Sequence, residues 1–287
     1  MKFAYLIMAH NRFSVLKMLL EDLDDERNDI FLHIDRKTGK YEEEEIKKCI
    51  KRANLVLIKR ISVYWGHYSQ IKCVVNLIKE AVSYGYHDYY HFMVGVEFPL
   101  KSQEYIHSFF EENRGYEFIG YDVVNFSDRM KYWNIWGKYA RSQKKYQKML
   151  FKWNSNILHI QEILGINRIK GKENYYKKGY AQWSITHELA NFILDEFKKI
   201  KGQYYFTYCA DEIFFQTIVF HSKYYDRVFD PNNEYKSSMR LTTWTDPRNQ
   251  LHFSDLDELI NTDKLFGRKF DGDDAENLII QIMKKRV

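Results

Sequence analysis

The hydrophobic pattern of the first 124 residues alternates continuous apolar runs with amphipathic stretches. The runs are typical of buried strands and occupy Phe3–Ala9, Asp29–Asp35, Leu55–Ile58, Tyr89–Val94 and Glu117–Tyr121. Between them, apolar residues recur at helical spacing, which predicts helices over Ser14–Leu23, Tyr41–Ala53, Tyr68–Tyr84 and from Ser102 onwards. This order of elements predicts βαβ units and therefore an α/β fold with a mostly parallel central sheet flanked by helices.

The second half of the chain is less regular. A long helix is predicted over Ala140–Leu164, with an apolar seam that we expect to face the core: Tyr146, Met149, Leu150, Trp153, Ile157, Ile160 and Leu164. Further helices are predicted over Thr186–Ile200, Asp211–His221 and Asp274–Lys285. No linker or repeat interrupts the pattern, so we expect a single domain. Its parts are a first half over 1–124, a helical insertion over 125–178 and a second half over 179–287.

Composition excludes several classes of protein. The 287 residues are 45% hydrophobic and 29% charged, which is too apolar for a disordered chain. Apolar runs such as Ala4–Ala9 are far shorter than the ~20 residues of a membrane span, and no secretory signal is recognisable. Three widely spaced cysteines, Cys49, Cys73 and Cys209, form neither a disulfide framework nor a metal motif. We therefore expect a reduced, cytoplasmic location.

Charge is unevenly distributed along the chain. The net charge is only +5, yet Phe126–Lys178 holds thirteen Lys or Arg residues against three acids and is rich in Trp and Tyr. One interpretation is a surface for an anionic partner, such as a lipid-linked saccharide or an anionic membrane. The other is a solvated face above an ordinary core seam. The sequence does not decide between them.

Polar side chains follow successive predicted strands. His10 follows the first strand, Asp35 ends the second, Trp65 and Ser69 precede a helix, and Glu97 follows the central strand. Each of them has an ordinary structural explanation when it is taken alone. Because open α/β sheets bind ligands at the carboxyl ends of their strands, four such positions together favour one shared pocket.

Two adjacent acids, Asp211 and Glu212, open a predicted helix. We expect Asp211 to lie near the N-cap, where backbone amides and the helix dipole keep it ionised. Glu212 points elsewhere and could act as a general base in a less polar pocket. From spacing alone, the favoured explanation is that both residues simply cap the helix.

Cations in aromatic surroundings occur near the end of the chain. Arg240 and Trp244 lie in one strand-like segment, and Arg268 and Lys269 lie between Phe266 and Phe270. Fixed cations can neutralise a diphosphate leaving group without a metal, although surface cations are the commoner explanation. Three Asp-x-Asp sequences begin at Asp22, Asp255 and Asp271, but none follows a buried strand, so we expect no metal site.

Ordered motifs along most of the chain resemble one enzyme family. They are Ala4–Asn11, Leu32–Arg36, Tyr64–Ser69, Gly95–Lys101, Gly179–Trp183, Ala210–Thr217, Arg240 and Phe266–Asp271. This order resembles the Core-2/I-branching enzymes, glycosyltransferase family 14, which include β-1,6-N-acetylglucosaminyltransferases, xylosyltransferases and glucuronosyltransferases. The resemblance implies a variant GT-A fold and inverting, metal-independent transfer from a UDP-sugar to a saccharide, in surface polysaccharide or glycan synthesis. The segment 125–178 matches poorly.

The resemblance also implies residue roles. Glu212 is similar to the general base, and Arg240 and Lys269 to the cations that bind the diphosphate in place of a metal. His10, Asp35, Trp65 and Ser69 are implied at the donor site. Further donor or acceptor contacts are expected from Glu97, Asp211, Gln182, Trp183, Arg129, Trp244 and Arg268, and acceptor contacts also from Lys131 and Tyr132.

This chain departs from the family pattern in two respects. The family usually has Asp at the position of Glu97, which puts that contact in question. The membrane anchor and luminal disulfides of animal members are not recognisable, so the chain resembles a soluble bacterial-type member. We expect it in the cytoplasm, in peripheral contact with the inner face of the membrane.

Other function classes remain open at this point. A metal-dependent GT-A glycosyltransferase fits if one Asp-x-Asp sequence lies in the pocket. A carbohydrate-binding protein without turnover would use the 23 Tyr and six Trp residues for stacking, but leaves Glu212, Arg240 and Lys269 without a role. An RNA-binding protein would use the basic aromatic segment, yet no RRM, KH or zinc signature is present, so we expect no nucleic-acid partner.

Overall fold

A computed structural model describes residues 1–122, 126–243 and 246–286. The strands are β1 Phe3–Ala9, β2 Asn28–Ile34, β3 Asn54–Leu57, β4 Tyr89–Val94, β5 Glu97–Pro99, β6 Ser184–Thr186, β7 Arg240–Thr242 and β8 Phe266–Arg268. The helices are α1 Phe13–Asp22, α2 Glu43–Lys48, α3 Ser69–Tyr84, α4 Gln103–Glu112, α5 Ser127–Lys131, α6 Lys145–Ile163, α7 His187–Ile200, α8 Asp211–Phe220, α9 Glu234–Ser238, α10 Leu256–Asn261 and α11 Ala275–Lys285.

The central sheet has the strand order β3-β2-β1-β4-β6. The first four of these strands are parallel, and β6 runs antiparallel to β4 with Thr186 opposite Tyr89. β1 lies in the middle and is buried along almost its whole length because residues on both of its faces are apolar. The predicted α/β class, with a mostly parallel sheet flanked by helices, is confirmed.

A second, three-stranded sheet has the order β5-β8-β7. Glu97 lies opposite Arg268 on β8, and Arg240 on β7 lies opposite Phe266. This sheet therefore brings the Glu97 motif together with two motifs that lie more than 130 positions later along the chain. Only β7 lies in a segment that the sequence describes as strand-like, because three-residue strands are too short to show a hydrophobic alternation.

Helices cover both faces of the central sheet. α3, α7 and α8 pack together on one face around Trp183, Phe214 and Ile78. α1, α4 and α11 contribute to the core on the other face, around Leu19, Phe110 and Ile279. The two cores bury the sheet between them, which leaves the carboxyl ends of β1 and β2 at one edge.

Several predicted elements differ from the structure. β1, β4 and α3 have almost the predicted bounds, whereas the helix predicted over Tyr41–Ala53 is only α2, Glu43–Lys48. Glu117–Tyr121 forms only isolated bridges, Glu117 to Val228 and Phe118 to Ser184, instead of a strand. Here Glu117 is buried and accepts hydrogen bonds from Thr186, so side-chain bonds replace a regular ladder.

The apolar seam predicted for α6 does not face the core. Tyr146, Met149, Trp153 and Ile160 are each more than half exposed. The buried positions of the helix are polar: Asn154 accepts a hydrogen bond from the Trp136 N–H, and Gln161 accepts one from the Trp133 N–H.

Two further expectations concern membranes and disulfides. Within the part of the chain that the structure describes, every helix is too short or too polar to cross a bilayer. Cys49, Cys73 and Cys209 are buried free thiols, as the sequence predicts. The division into segments 1–124, 125–178 and 179–287 remains a prediction, although β6 from the third segment pairs with β4 from the first.

Gly179 marks the closest backbone approach in the fold. A Cβ atom at this position would lie 1.9 Å from the carbonyl oxygen of Gly120. We expect Gly179→Ala to lower the free energy of unfolding by at least about 2 kcal/mol, because backbone rather than a side chain must move. Urea denaturation measures this change. Gly202→Ala is the control, because its added Cβ meets nothing within 4 Å; equal destabilisation by the two substitutions would contradict the prediction.

Candidate functional site

The ends of β1 and β2 place His10 and Asp35 side by side. The Asp35 N–H donates to the Ala9 carbonyl at 2.9 Å, which joins the two strand ends. The Asp35 carboxylate is nearly buried, accepts the Lys37 N–H at 2.8 Å and lies 3.3 Å from the Lys37 ammonium. Much of the His10 side chain reaches solvent. Protein atoms around its imidazole remove part of the hydration and lower its pKa, and the Asp35 charge opposes that shift. The two residues thus lie at neighbouring strand ends, and their place at a donor site stays a prediction.

The loop before α3 is folded back on itself around Ser69. The Ser69 hydroxyl accepts the Tyr64 N–H at 2.9 Å and is nearly buried, so it holds the loop together. Trp65 projects from this loop, with 41% of its surface exposed. An exposed indole offers a flat apolar surface for a ring.

Gly66 joins this loop to the segment before α8. Its φ of +67° lies in the left-handed region, and an added Cβ would lie 2.9 Å from the Tyr208 ring. The Gly66 carbonyl accepts the Cys209 N–H at 2.9 Å, and the Trp65 and Tyr208 rings meet edge to face at 5.6 Å. The donor-side loop and the start of α8 are therefore in direct contact.

Gln70 strengthens the same junction and was missed by the sequence analysis. Its amide oxygen accepts the Gly66 N–H, and its amide nitrogen donates to the Asp211 carboxylate at 3.0 Å. A glutamine in the first turn of a helix carries no signal of such a role. Only the tertiary contact between α3 and α8 reveals it.

Asp211 does not have the environment that we predicted. Ala210 is the N-cap, so Asp211 is the first residue of α8 rather than its cap. Burial, followed by the adjacent charge of Glu212, raises the pKa of Asp211 to about 7. Desolvation therefore opposes the helix dipole here, and the ionised state of Asp211 stays a prediction.

Glu212 is the more accessible of the two acids. About a third of its side chain is exposed, and its carboxylate forms an ion pair of 2.5 Å with Arg129 from α5. Its backbone carbonyl accepts the Gly179 N–H at 2.9 Å. The geometry thus places an open carboxylate next to a cation from the basic insertion and next to the Gly179–Trp183 motif.

Two residues of that motif do not line an open site. Trp183 is completely buried in the core, where its ring packs against Phe215 and Phe92. Gln182 is 3% exposed and accepts a hydrogen bond of 2.8 Å from Arg268. The expectation of direct sugar contacts therefore fails for Trp183, and Gln182 instead orients a guanidinium.

Glu97 is also enclosed. Its carboxylate accepts the Val94 N–H at 3.0 Å and lies 3.7 Å from the Arg268 guanidinium. Burial raises its pKa, and the Arg268 charge opposes that shift. Glu97 was expected among the donor or acceptor contacts, but in the structure its buried carboxylate faces the Arg268 guanidinium instead.

Arg240 contradicts the sequence-based expectation most clearly. It has no exposed surface, and its guanidinium donates to the Ser184 hydroxyl at 3.0 Å and to the carbonyls of Ser238 and Trp183 at 2.6 and 3.1 Å. Burial lowers its pKa to about 10. A direct contact with a diphosphate does not fit this enclosed position, where Arg240 links the two sheets.

Lys269 and Arg141 are cations that can reach solvent. Lys269 is half-buried, and burial followed by the Arg268 and Arg141 charges lowers its pKa. Arg141 is exposed, and its guanidinium carbon lies 3.6 Å from the centre of the Trp65 ring. Sequence analysis missed Arg141 because it lies in the insertion that matches the family poorly. Its only signal was its position among basic and aromatic residues.

Candidate metal ligands do not converge. Asp22 pairs with Arg286, Asp24 accepts backbone N–H groups, and Asp271 pairs with Arg12. Over residues 1–122, 126–243 and 246–286, no three His, Cys, Asp or Glu side chains come together as a ligand group. Trp244, a predicted contact residue, lies outside the described residues.

The comparisons with known proteins agree with this arrangement. A family model described as Core-2/I-Branching enzyme matches residues 3–260 of the 287. Its range includes Glu212, Asp211 and the polar strand ends but stops before Lys269. No curated protein matches the chain at the threshold applied. The α/β architecture fits the GT-A-like fold that this family implies.

The raised pKa of Asp211 predicts a pH-dependent stability. The native state keeps this proton up to about pH 7, whereas an unfolded Asp loses it near 3.8, so stability falls as the pH rises between these values. We expect the decrease in unfolding free energy from pH 5 to pH 8 to be smaller in Asp211→Asn, by roughly 1 kcal/mol or more.

Urea denaturation at the two pH values provides this measurement. Asp195→Asn is the control, because Asp195 is exposed and Lys198 lowers its pKa, so it does not titrate above pH 5. An unchanged pH dependence in Asp211→Asn would show that Asp211 is already ionised in the native state.

Proposed function

Because the chain belongs to the Core-2/I-branching enzyme family and is therefore a glycosyltransferase, we propose that it transfers a sugar from a UDP-sugar to a saccharide hydroxyl. The transfer inverts the anomeric carbon and uses no metal. The observation that carries this proposal is the open Glu212 carboxylate at the start of α8, which pairs with Arg129 and lies near Cys209, as Arg141 also does. These are the two parts that such a reaction needs: a base for the acceptor and charge for the leaving group.

Glu212 is the proposed general base. Its carboxylate takes the proton from the acceptor hydroxyl while that oxygen attacks the anomeric carbon from the side opposite the UDP. The bond between the anomeric carbon and the phosphate oxygen breaks, and its electron pair leaves with the UDP. Arg129 orients the carboxylate before the acceptor arrives, since the two side chains are paired at 2.5 Å.

The donor is proposed to bind at the ends of β1 and β2. His10 and Asp35 face the uridine, and the exposed Trp65 ring supplies a stacking surface beside them. Ser69 contributes indirectly, because its hydroxyl fixes the backbone of the Trp65 loop. Gln70 then couples this loop to Asp211, and so to the position of Glu212.

Lys269 and Arg141 are the proposed cations for the diphosphate. Both side chains reach solvent, and the Arg141 charge helps to lower the pKa of Lys269, so the two cations lie near each other. Arg268 precedes Lys269 in the chain and adds positive charge, and Glu97 and Gln182 hold its guanidinium in place. Arg240 acts as a positioning residue, because its hydrogen bonds to Ser184 and Trp183 join β7 to β6 and hold the three-stranded sheet in place.

The sugar and acceptor are proposed more broadly. The family uses UDP-N-acetylglucosamine, UDP-xylose and UDP-glucuronate, so one of these classes is the expected donor. A saccharide, free or lipid-linked, is the expected acceptor, in the assembly of a surface polysaccharide or glycan. A panel of these donors with simple acceptor sugars identifies the pair on which the variants below are measured.

Removing the base is expected to separate binding from chemistry. Glu212→Gln should lower kcat by roughly 10²–10⁴-fold, because a positioned base contributes about that factor. Its UDP affinity should stay within about twofold of wild type. Steady-state kinetics and calorimetry measure both quantities. Glu258→Gln, an exposed acid on α10, is the matched control; a Glu212→Gln enzyme with full kcat would exclude this residue as the base.

Removing the cations is expected to weaken UDP binding in the absence of metal. In excess EDTA, wild type should bind UDP, and Arg141→Ala and Lys269→Ala should each raise Kd about tenfold or more. That factor corresponds to a lost charge-assisted hydrogen bond of about 1.5–3 kcal/mol.

Titration calorimetry with UDP measures these affinities, and Lys145→Ala tests for general charge effects. UDP binding that appears only with manganese would favour a metal-dependent enzyme. Unchanged affinity in both variants would remove these two residues from the diphosphate site.

A further inference from the structure

α6 carries an apolar row that none of the described residues covers. Tyr146, Met149, Trp153 and Ile160 follow one another at helical spacing and are each more than half exposed. Leu164, directly after the helix, continues the row and is exposed as well. Single exposed apolar residues are ordinary on protein surfaces, but a contiguous row of this length marks an interaction surface.

The row is not a misplaced core face. The helix is already anchored through an adjacent side, about 100° around its axis from the row. There Gln161 both accepts from the Trp133 N–H and donates to the Trp133 carbonyl. Asn154 anchors the preceding turns, because its amide oxygen accepts the Trp136 N–H and its amide nitrogen donates to the Asn134 side chain at 3.4 Å. The fold therefore leaves the apolar row exposed, and a binding partner outside the described residues would have to cover it.

Lysines line one flank of the row. Lys145, Lys148 and Lys152 are exposed on α6, and Lys144 immediately precedes it. Among the residues that the structure describes, none of these four ammonium groups lies within 4 Å of a carboxylate. Glu162 is the helix's single acid, at its far end. The surface therefore combines apolar side chains, a tryptophan and uncompensated positive charge.

We propose that this face of α6 docks on an anionic phospholipid bilayer. An interfacial helix buries its apolar face at the level of the headgroups while Lys side chains contact anionic lipids, and Trp prefers that boundary. A second copy of the chain fits less well, because its matching face offers the apolar row but only one acid, Glu162, for the lysine flank. The inference does not depend on the reaction, since bilayer binding requires neither donor nor acceptor.

The position of the helix agrees with a membrane-linked substrate. α6 begins four residues after Arg141, whose guanidinium stacks on Trp65 at the proposed donor site. α5, on the other side of the insertion, supplies Arg129 to Glu212. Docking through α6 would thus hold the site near the headgroups, where the saccharide of a lipid-linked acceptor is found.

Co-sedimentation with vesicles tests the proposal. Wild type should bind vesicles of phosphatidylglycerol and phosphatidylcholine and remain in solution with phosphatidylcholine alone. The triple change Lys145→Gln, Lys148→Gln and Lys152→Gln should weaken binding about 100-fold, because each basic residue near the surface contributes about 1 kcal/mol. The control triple is Lys79→Gln, Lys284→Gln and Lys285→Gln, which removes the same charge from exposed positions outside α6.

A second variant separates insertion from simple charge attraction. Met149→Ser, Trp153→Ser and Ile160→Ser together should also abolish vesicle binding, with the fold unchanged because these side chains are exposed. In wild type, vesicles should shift tryptophan emission to shorter wavelength, and Trp153→Phe should lose most of that shift. Activity on a soluble acceptor should be unchanged in the lysine variant.

Three results would overturn the proposal. They are no binding to anionic vesicles, equal loss in the control triple, and a concentration-dependent dimer in solution that the serine variant abolishes. The last result would assign the row to a second copy of the chain. Vesicle binding by Glu212→Gln distinguishes the two proposals, because it should persist even if the proposed reaction is wrong.

Discussion

The site depends on the contact between the Trp65–Gly66 loop and the start of α8. The hydrogen bond from the Cys209 N–H to the Gly66 carbonyl joins them, and Gln70 bridges the Gly66 N–H and the Asp211 carboxylate. Only a glycine in the left-handed region allows the Tyr208 ring to approach this closely. Without this junction, the polar strand ends of the first half and the acids of the second half would lie in unrelated places.

A second constraint is the group of buried charges between the two sheets. Arg240, Arg268 and Glu97 lose hydration on folding, a cost that is offset only where hydrogen bonds and opposite charges replace water. Arg240 regains such bonds from backbone carbonyls and the Ser184 hydroxyl. These charges therefore stabilise the three-stranded sheet, and they fix the end of β8, which Lys269 directly follows.

Sequence reasoning was most reliable where burial alone determines structure. Phe3–Ala9 and Tyr89–Val94 were predicted exactly, because strands buried on both faces are continuous apolar runs. It failed for α6, since a helical apolar period shows that a face exists but not whether the fold covers it.

Residue roles were harder to predict than elements. Arg240 could be read as a ligand because the sequence does not reveal that β7 is enclosed, and Asp211 could be read as ionised because its burial is tertiary. Gln70 and Arg141 acquire their positions from contacts with distant segments. Glu212 was expected in the less polar pocket of the two acids, whereas the structure desolvates Asp211 more and leaves about a third of the Glu212 side chain exposed. The role of Glu212 as base is a proposal.

The anomeric configuration of the first product tests the central claim most directly. The three candidate donors are α-linked UDP-sugars, and a single displacement assisted by Glu212 converts them to a β-linked product. Proton NMR of the product formed early in the reaction distinguishes the two configurations. The account predicts a β linkage, whereas an α linkage would mean retention and would leave Glu212 without the role assigned to it.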